Sequence, residues 1–156
     1  MSLIVLLDSE PLGLVTNPKS SPEADACRAW LRALPIAGHL PLVPEIIDYE
    51  VRRELRLYGK IRGLRNLDAL AVLGRYLPIT TEAMRQAADF WADLRRIGLP
   101  TADRLALDAD VILCAQAATL NPKALGLPGA SVVIATGNVG HLTRLADARR
   151  WQDIPV

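Results

Sequence analysis

Cysteine is scarce in this 156-residue chain, with Cys27 and Cys114 the two present. They stand far apart, in helix-like apolar surroundings and without a C-x-x-C spacing. This excludes a disulfide framework and a cysteine zinc site, and predicts two buried free thiols. An excess of charge of either sign is also missing, because the formal net charge is +1. A globally basic nucleic-acid binder is thereby excluded, and local patches have to be sought along the chain. No stretch reaches the roughly 18 uncharged apolar residues of a membrane span. The apolar run near the N-terminus has no basic flank and is cut off by Asp8, so it does not read as a signal-peptide core. A cytoplasmic protein without a membrane partner is the expectation. Repeats, low-complexity segments and linkers are lacking too, and with 51% hydrophobic residues the chain reads as one domain over 1–156.

What is present begins with Leu3-Ile4-Val5-Leu6-Leu7, an unbroken aliphatic run followed by polar and turn residues. Such a run reads as a parallel strand buried on both faces, and the end of such a strand is where open α/β sheets hold ligands. Asp8 is therefore a carboxylate delivered to a candidate site. Residues 9–22 read as turn-rich, and 23–34 as a helix with Ala26, Cys27, Trp30, Leu31 and Leu34 on its apolar face and Ser20 or Ser21 as cap. A second strand is expected over 40–43, with Pro44 at the boundary to a helix from Glu45 to about Tyr58. Further on, the pattern predicts a helix over 64–77, a very short strand at 79–80, a helix over 82–96, a loop over 98–106 and a helix over 108–120. After a connection over 121–129, a last strand over 131–135 ends at Thr136-Gly137-Asn138. Strands alternating with helices predict a parallel α/β sheet.

Acids interrupt this pattern at informative places. In the second of these helices Ile46, Ile47, Val51, Leu55 and Tyr58 follow the spacing that packs onto a sheet, and Glu50 and Glu54 occupy the same stripe. A cleft or a metal accounts for Glu50 there; a rotated helix with Glu50 paired to Arg53 is the plainer alternative. In the apolar helix over 108–120, Asp108 is the N-cap candidate and Asp110 the acid that projects from the first turn, where the helix dipole favours its ionised form. Thr136 and Asn138 follow the last strand at a sheet-edge position of the same kind as Asp8. Asp8, Glu50, Asp110 and Asn138 are hard oxygen ligands on four elements with no matching His or Cys set, which selects Mg²⁺ or Mn²⁺ over zinc. Such ions serve phosphate chemistry.

In this order the motifs resemble those of the PIN-domain family, the nuclease-like fold that includes the toxins of VapBC toxin–antitoxin systems. The resemblance covers almost the whole chain. It rests on Leu6-Leu7-Asp8-Ser9, on the segment from Pro44 through Glu50 to Leu55, on Asp110-Val111-Ile112-Leu113-Cys114-Ala115-Gln116-Ala117, and on the segment from Val133 through Thr136-Gly137-Asn138 to Leu142. It implies a three-layer α/β/α fold with a central, mostly parallel sheet of four to five strands. By the same resemblance Asp8, Glu50 and Asp110 fall on the family's metal-binding acids, with Asp108 competing for the third place. Thr136 and Asn138 fall on its Thr-x-Asp/Asn position, where Asn138 is a neutral ligand. The implied activity is a metal-dependent endoribonuclease, a hydrolase that cleaves RNA phosphodiester bonds without a covalent intermediate. The implied partner is a small antitoxin protein whose segment lies over the groove. The alternative is a catalytically weak or inactive PIN-like module that binds RNA or a protein.

Between Val51 and Arg65 stand Arg52, Arg53, Arg56, Lys60, Arg62 and Arg65 against the single acid Glu54. This local surplus, hidden by the neutral total, could track an RNA backbone, with Arg52, Arg53 and Arg56 nearest Glu50; a solvated helix face is the plainer reading. Phe90 and Trp91 are expected in the core, with a homodimer surface as the second reading. His141 reads as a packing or hydrogen-bonding residue, and His39 has no partner visible in sequence. An Asp-x-Asp phosphatase is disfavoured by Glu10, and a phosphoacceptor receiver domain by the lack of a late lysine after a strand.

Overall fold

The computed structural model describes residues 1–72, 75–98, 104–140 and 142–156. All five residues of the aliphatic run are buried, and they form β1 (Leu3–Leu7) at the middle of a five-stranded sheet. It is joined by β2 (Leu40–Pro44), β3 (Tyr76–Leu77), β4 (Ser131–Thr136) and β5 (Ala148–Arg150) in the order β3-β2-β1-β4-β5, every pairing parallel. A central strand buried at consecutive positions must be covered on both faces, which makes three layers. The α/β/α architecture is thus the expected one, with five strands.

Helices connect the strands in pairs: α1 (Ser9–Thr16) and α2 (Pro22–Ile36), α3 (Glu45–Leu57) and α4 (Ile61–Val72), then α5 (Thr81–Arg96) and α6 (Arg104–Thr119). Steps from β1 to β2 and from β2 to β3 run in one direction along the sheet, and the step from β3 to β4 runs back past β1. Right-handed crossovers then place the first two helix pairs on one face and the α5–α6 pair on the other. Alongside the main core, Ala83, Ala87, Leu94, Leu107, Val111 and Ala115 close a second apolar cluster between α5 and α6. Strand order reverses between β1 and β4, so a crevice opens at the carboxyl ends of these two strands.

Most expected elements are present, and the differences have local causes. Residues 9–16, expected as part of a turn-rich stretch, are helical: Asp8 caps α1 by accepting from the Ser9 N–H, and Pro11 sits in the first turn, where a missing N–H breaks no intrahelical bond. Ser21 is the cap of α2, and Pro22 takes the first helical position. The helix expected over 64–77 starts at Ile61 and ends at Val72, and the short strand is Tyr76–Leu77 rather than 79–80. Thr80 instead caps α5 by accepting from the Ala83 N–H. Helix α6 begins at Arg104, within the segment expected as a loop over 98–106, of which residues 99–103 lie outside the described residues. Neither Asp108 as N-cap nor Asp110 in the first turn survives this earlier start. β5 has no counterpart among the expected strands, because Ala148-Arg149-Arg150 has no apolar alternation.

Cys27 and Cys114 are buried free thiols, as expected, and burial pushes each up to about 12. Neither is a nucleophile at neutral pH. Phe90 packs against both clusters of the core, whereas Trp91 is 39% exposed beneath the Arg95 guanidinium, 4.8 Å from its ring centre. His39 has a partner that sequence did not reveal, accepting the Leu3 N–H on Nδ1 at 3.1 Å. His141 lies outside the described residues.

Leu6 has no exposed surface, while Leu57 on α3 is 74% exposed. Truncating a buried leucine costs about 2–5 kcal/mol through lost transfer energy and the cavity left behind. Leu6→Ala is therefore expected to lower the urea midpoint strongly and Leu57→Ala to leave it nearly unchanged; similar midpoints for the two variants would contradict this core.

Candidate active site

The crevice at the ends of β1 and β4 is built from their last residues. The Asp8 N–H continues the ladder to the Ala135 carbonyl at 2.9 Å, which brings the Asp8 carboxyl beside Thr136. One carboxylate oxygen, Oδ1, accepts the Ser9 N–H at 2.7 Å, and the other, Oδ2, accepts the Thr136 hydroxyl at 2.7 Å. Having given its proton to this charged acceptor, Thr136 Oγ1 accepts the Asn138 N–H at 3.1 Å. Thr136 is buried and Asp8 partly so, and the bond between them is partly sheltered from water. Asn138 is exposed, and its Oδ1 accepts the Gly140 N–H at 3.1 Å, which shapes the turn after β4.

Asp8, Asp110, Thr136 and Asn138 line a single cleft of about 470 Å³. Asp108 is exposed and lines a different hollow, between α5 and α6 with Met84 and Trp91. The two competing acids of α6 are thereby separated: Asp110 belongs to the cleft. Glu50 is half-buried on α3 and lines an adjoining cleft that shares Ser9 and Glu10 with the first. Burial, then the charge of Asp8, and more weakly that of Asp110, push its carboxyl up to about 7, with Arg53 pulling the other way. Glu50 therefore senses both other acids. The pairing with Arg53 exists but is long, 3.9 Å, between a half-exposed arginine and a less exposed acid.

Glu10 and Gly137 are cleft residues for which sequence offered no role in the site. The Glu10 carboxylate lies directly on Gly137, where a Cβ would come within 1.0 Å of its Oε2. Burial and the charges of Glu23 and Asp8 raise its pKa against the pull of Arg150. The Asp8-x-Glu10 spacing was the available signal. One helical turn into α3, by contrast, the buried Asp48 is matched by Arg52, which forks onto it at 2.9 and 3.1 Å and reaches Asp68 at 2.8 Å. Arg52 is thus bound within the protein. Arg52 lines a different hollow, with Asp48, Ala71 and Tyr76, and Arg56 stands across α3 from Glu50 and Glu54 and lines neither cleft. Arg53 lies over the Tyr49 ring at 5.2 Å.

Hard oxygen donors at the end of β1, on α6, on α3 and in the turn after β4 suit a hard divalent cation, and burial together with neighbouring acids raises Glu50 and Glu10 above the ordinary carboxylate range. Among the described residues, no group of three or more His, Cys, Asp or Glu side chains is arranged to hold one ion. Mg²⁺ keeps several waters and needs one or two carboxylates, so the donor chemistry still fits.

No family model and no curated protein sequence matches the chain. Solved structures do. VapBC2 from Rickettsia felis bound to a DNA fragment from their promoter superposes with a TM-score of 0.67 at 14% identity, over 96% of this chain and 99% of that one. The chain has a PIN-like fold. FitAcB from Neisseria gonorrhoeae has a TM-score of 0.64 at 19% identity, over 97% of this chain and 100% of that one. VapBC-1 from nontypeable Haemophilus influenzae has 0.57 at 16%, with coverages of 97% and 100%. The PIN-like fold is the one the four motifs implied, and at these identities the likeness speaks for the fold alone.

Two outcomes follow from this geometry. Thr136→Val removes the hydroxyl that joins Asp8 to the turn and is expected to cost about 1–3 kcal/mol in urea denaturation, the penalty for unpairing sheltered polar groups; an unchanged midpoint would show the bond to be idle. Glu50 sets a pH dependence. Below its ordinary 4.5 it is protonated in the folded and unfolded chains alike; between 4.5 and about 7 the unfolded chain ionises first, so stability falls as pH rises through that window. In cation-free buffer Glu50→Gln should remove this part of the decline between about pH 5 and 7.5, and equal slopes for both proteins would contradict it.

Proposed function

We propose that the protein is a Mg²⁺- or Mn²⁺-dependent ribonuclease of the toxin type, acting on RNA and held in check by a small antitoxin protein. The observation that carries this reading is the Asp8 carboxylate, held by Ser9 and Thr136 at the sheet's switch point and lining one cleft with Asp110, with the half-buried Glu50 within electrostatic reach. The likeness in fold to the VapBC and FitAcB structures supports the toxin class, and the names of those complexes are the reason to propose an antitoxin.

Asp8, Asp110 and Glu50 would hold the cation, directly or through water, with Asn138 and Glu10 beside them. A bound Mg²⁺ or Mn²⁺ supplies charge that polarises the attacked phosphate and eases deprotonation of the attacking water. The chain's own contribution is orientation. Thr136 and Ser9 leave Asp8 little rotational freedom, so its carboxylate is positioned in advance at the cleft it lines. In the metal-free protein burial and the charge of Asp8 push Glu50 up to about 7, so a cation bound there would displace its proton and hold it as a carboxylate. Asn138 brings no charge, and its side-chain oxygen is already engaged with Gly140, which makes it a positioning group for the turn.

A labelled single-stranded RNA incubated with the purified protein is expected to be cleaved with Mn²⁺ or Mg²⁺ and spared with EDTA. Asp8→Asn should slow cleavage by at least about a hundredfold, the scale of losing one fixed electrostatic group at a reacting centre. Cleavage that survives in Asp8→Asn would overturn the assignment. An absence of Mn²⁺-induced thermal stabilisation at millimolar metal would instead favour a module that binds without cutting.

A further inference from the structure

We infer that the phosphate backbone of a single-stranded RNA runs from the acidic cleft along the carboxyl-terminal ends of α1 and α3, held by Lys19, Lys60, Arg62 and Arg32; this rests on the ribonuclease reading. Three clefts lie end to end. The acidic one shares Ser9 and Glu10 with a second of about 480 Å³, which Gly13, Leu55, Tyr58, Lys19 and Lys60 help to line. That one shares Asn17 and Pro18 with a third of about 490 Å³, bounded by Ser20, Arg32, Arg62 and Asn66 among others.

Charge changes sign along this line. Asp8, Glu10 and Asp110 line the sheet end, the middle cleft sets Lys19 and Lys60 beside Glu50 and Glu54, and in the third cleft Arg32 and Arg62 accompany an Asp25 already paired to Arg28. Lys19, Lys60, Arg32 and Arg62 are exposed, and none of them belongs to an ion pair among the described residues. Arg28, in the same third cleft, is different: it pairs with Asp25 at 2.9 Å and donates to the carbonyls of Asn17 and Lys19. With Asn66, which donates to the Thr16 carbonyl at 2.8 Å, it pins the loop that carries Lys19. Lys19 therefore stands on an anchored loop, Lys60 is tied by its N–H to the Leu55 carbonyl, and Arg32 and Arg62 stand on α2 and α4.

Between the acids and these cations Tyr58 is 69% exposed, an aromatic ring of the kind on which a base stacks. Spaced, unpaired cations along a groove with an open ring suit a strand of phosphates with splayed bases. Arg52 and Arg56, which sequence brought closest to Glu50, are on the opposite side of α3 and take no part.

The test is fluorescence anisotropy of a short labelled RNA against the full chain, across a salt series, in buffer with Ca²⁺ and in buffer with EDTA. Lys60→Gln/Arg62→Gln should weaken binding and lower the salt slope by about 1.4, at about 0.7 for each phosphate of a single strand that is no longer neutralised. Arg52→Gln/Arg56→Gln should leave the slope of the wild-type protein. Circular dichroism melts of both variants check that they fold. An unaltered slope in Lys60→Gln/Arg62→Gln overturns the inference, and so does binding of an acidic peptide where RNA does not bind. Cleavage is read separately: a lowered slope in a protein that never cuts RNA keeps this track and sinks the nuclease, while intact cleavage with an unaltered slope does the reverse.

Discussion

The hydroxyl of Thr136 on the carboxylate of Asp8 joins the ends of two neighbouring parallel strands, and the rest of the site is arranged around that bond. Parallel strands bring the ends of β1 and β4 side by side, and the reversal of strand order between them keeps a crossover helix from closing the gap. The same carboxylate caps α1 through Ser9, so one side chain both ends a strand and starts a helix. Its geometry is fixed twice, by a neighbour in sequence and by a residue 128 positions away. Asn138 and the turn to Gly140 hang on the same hydroxyl.

Electrostatic imbalance is the second constraint. Elsewhere on α3 a buried acid is neutralised within the protein: Asp48, one turn into the helix, is clasped by Arg52 in a two-pronged pair that also reaches Asp68. Two residues after Asp48, Glu50 receives among the described residues a long contact from Arg53 and is pushed towards neutrality by burial and by Asp8. Two acids on one helix thus meet opposite treatment: Asp48 has a close two-pronged cationic partner, and Glu50 at the cleft has none at that distance among the described residues. Glu10 on Gly137 adds to the same imbalance from the other wall.

Much of this is legible in the chain itself. An unbroken aliphatic run ending in Asp8, the helical spacing of α2, α3 and α5, and the last strand before Thr136 follow from local periodicity, and local periodicity survives folding. The segments that depart from their local pattern have a common character. Helix α1 contains Pro11 and Gly13, the start of α6 lies ahead of its acids, and β5 is three residues long with two arginines. Of these, α1 is held by its cap at Asp8 and β5 by its pairing with β4, which override weak propensity.

The sequence by itself determined which residues could form a hard-ligand site, because residue type, strand burial and helix face are properties of short segments. It also determined the class of fold, since strands alternating with helices leave few arrangements. Tertiary structure alone put Asp110 in the cleft with Asp8 and Asp108 in a hollow beside Met84 and Trp91, by fixing the rotation of α6 against α5 and the sheet. It alone turned Arg52 away from the cleft and linked three hollows into a line that begins with carboxylates and ends with unpaired cations. The reason is physical: helix rotation and cleft continuity are set by contacts between segments distant in the chain, and no local pattern encodes them.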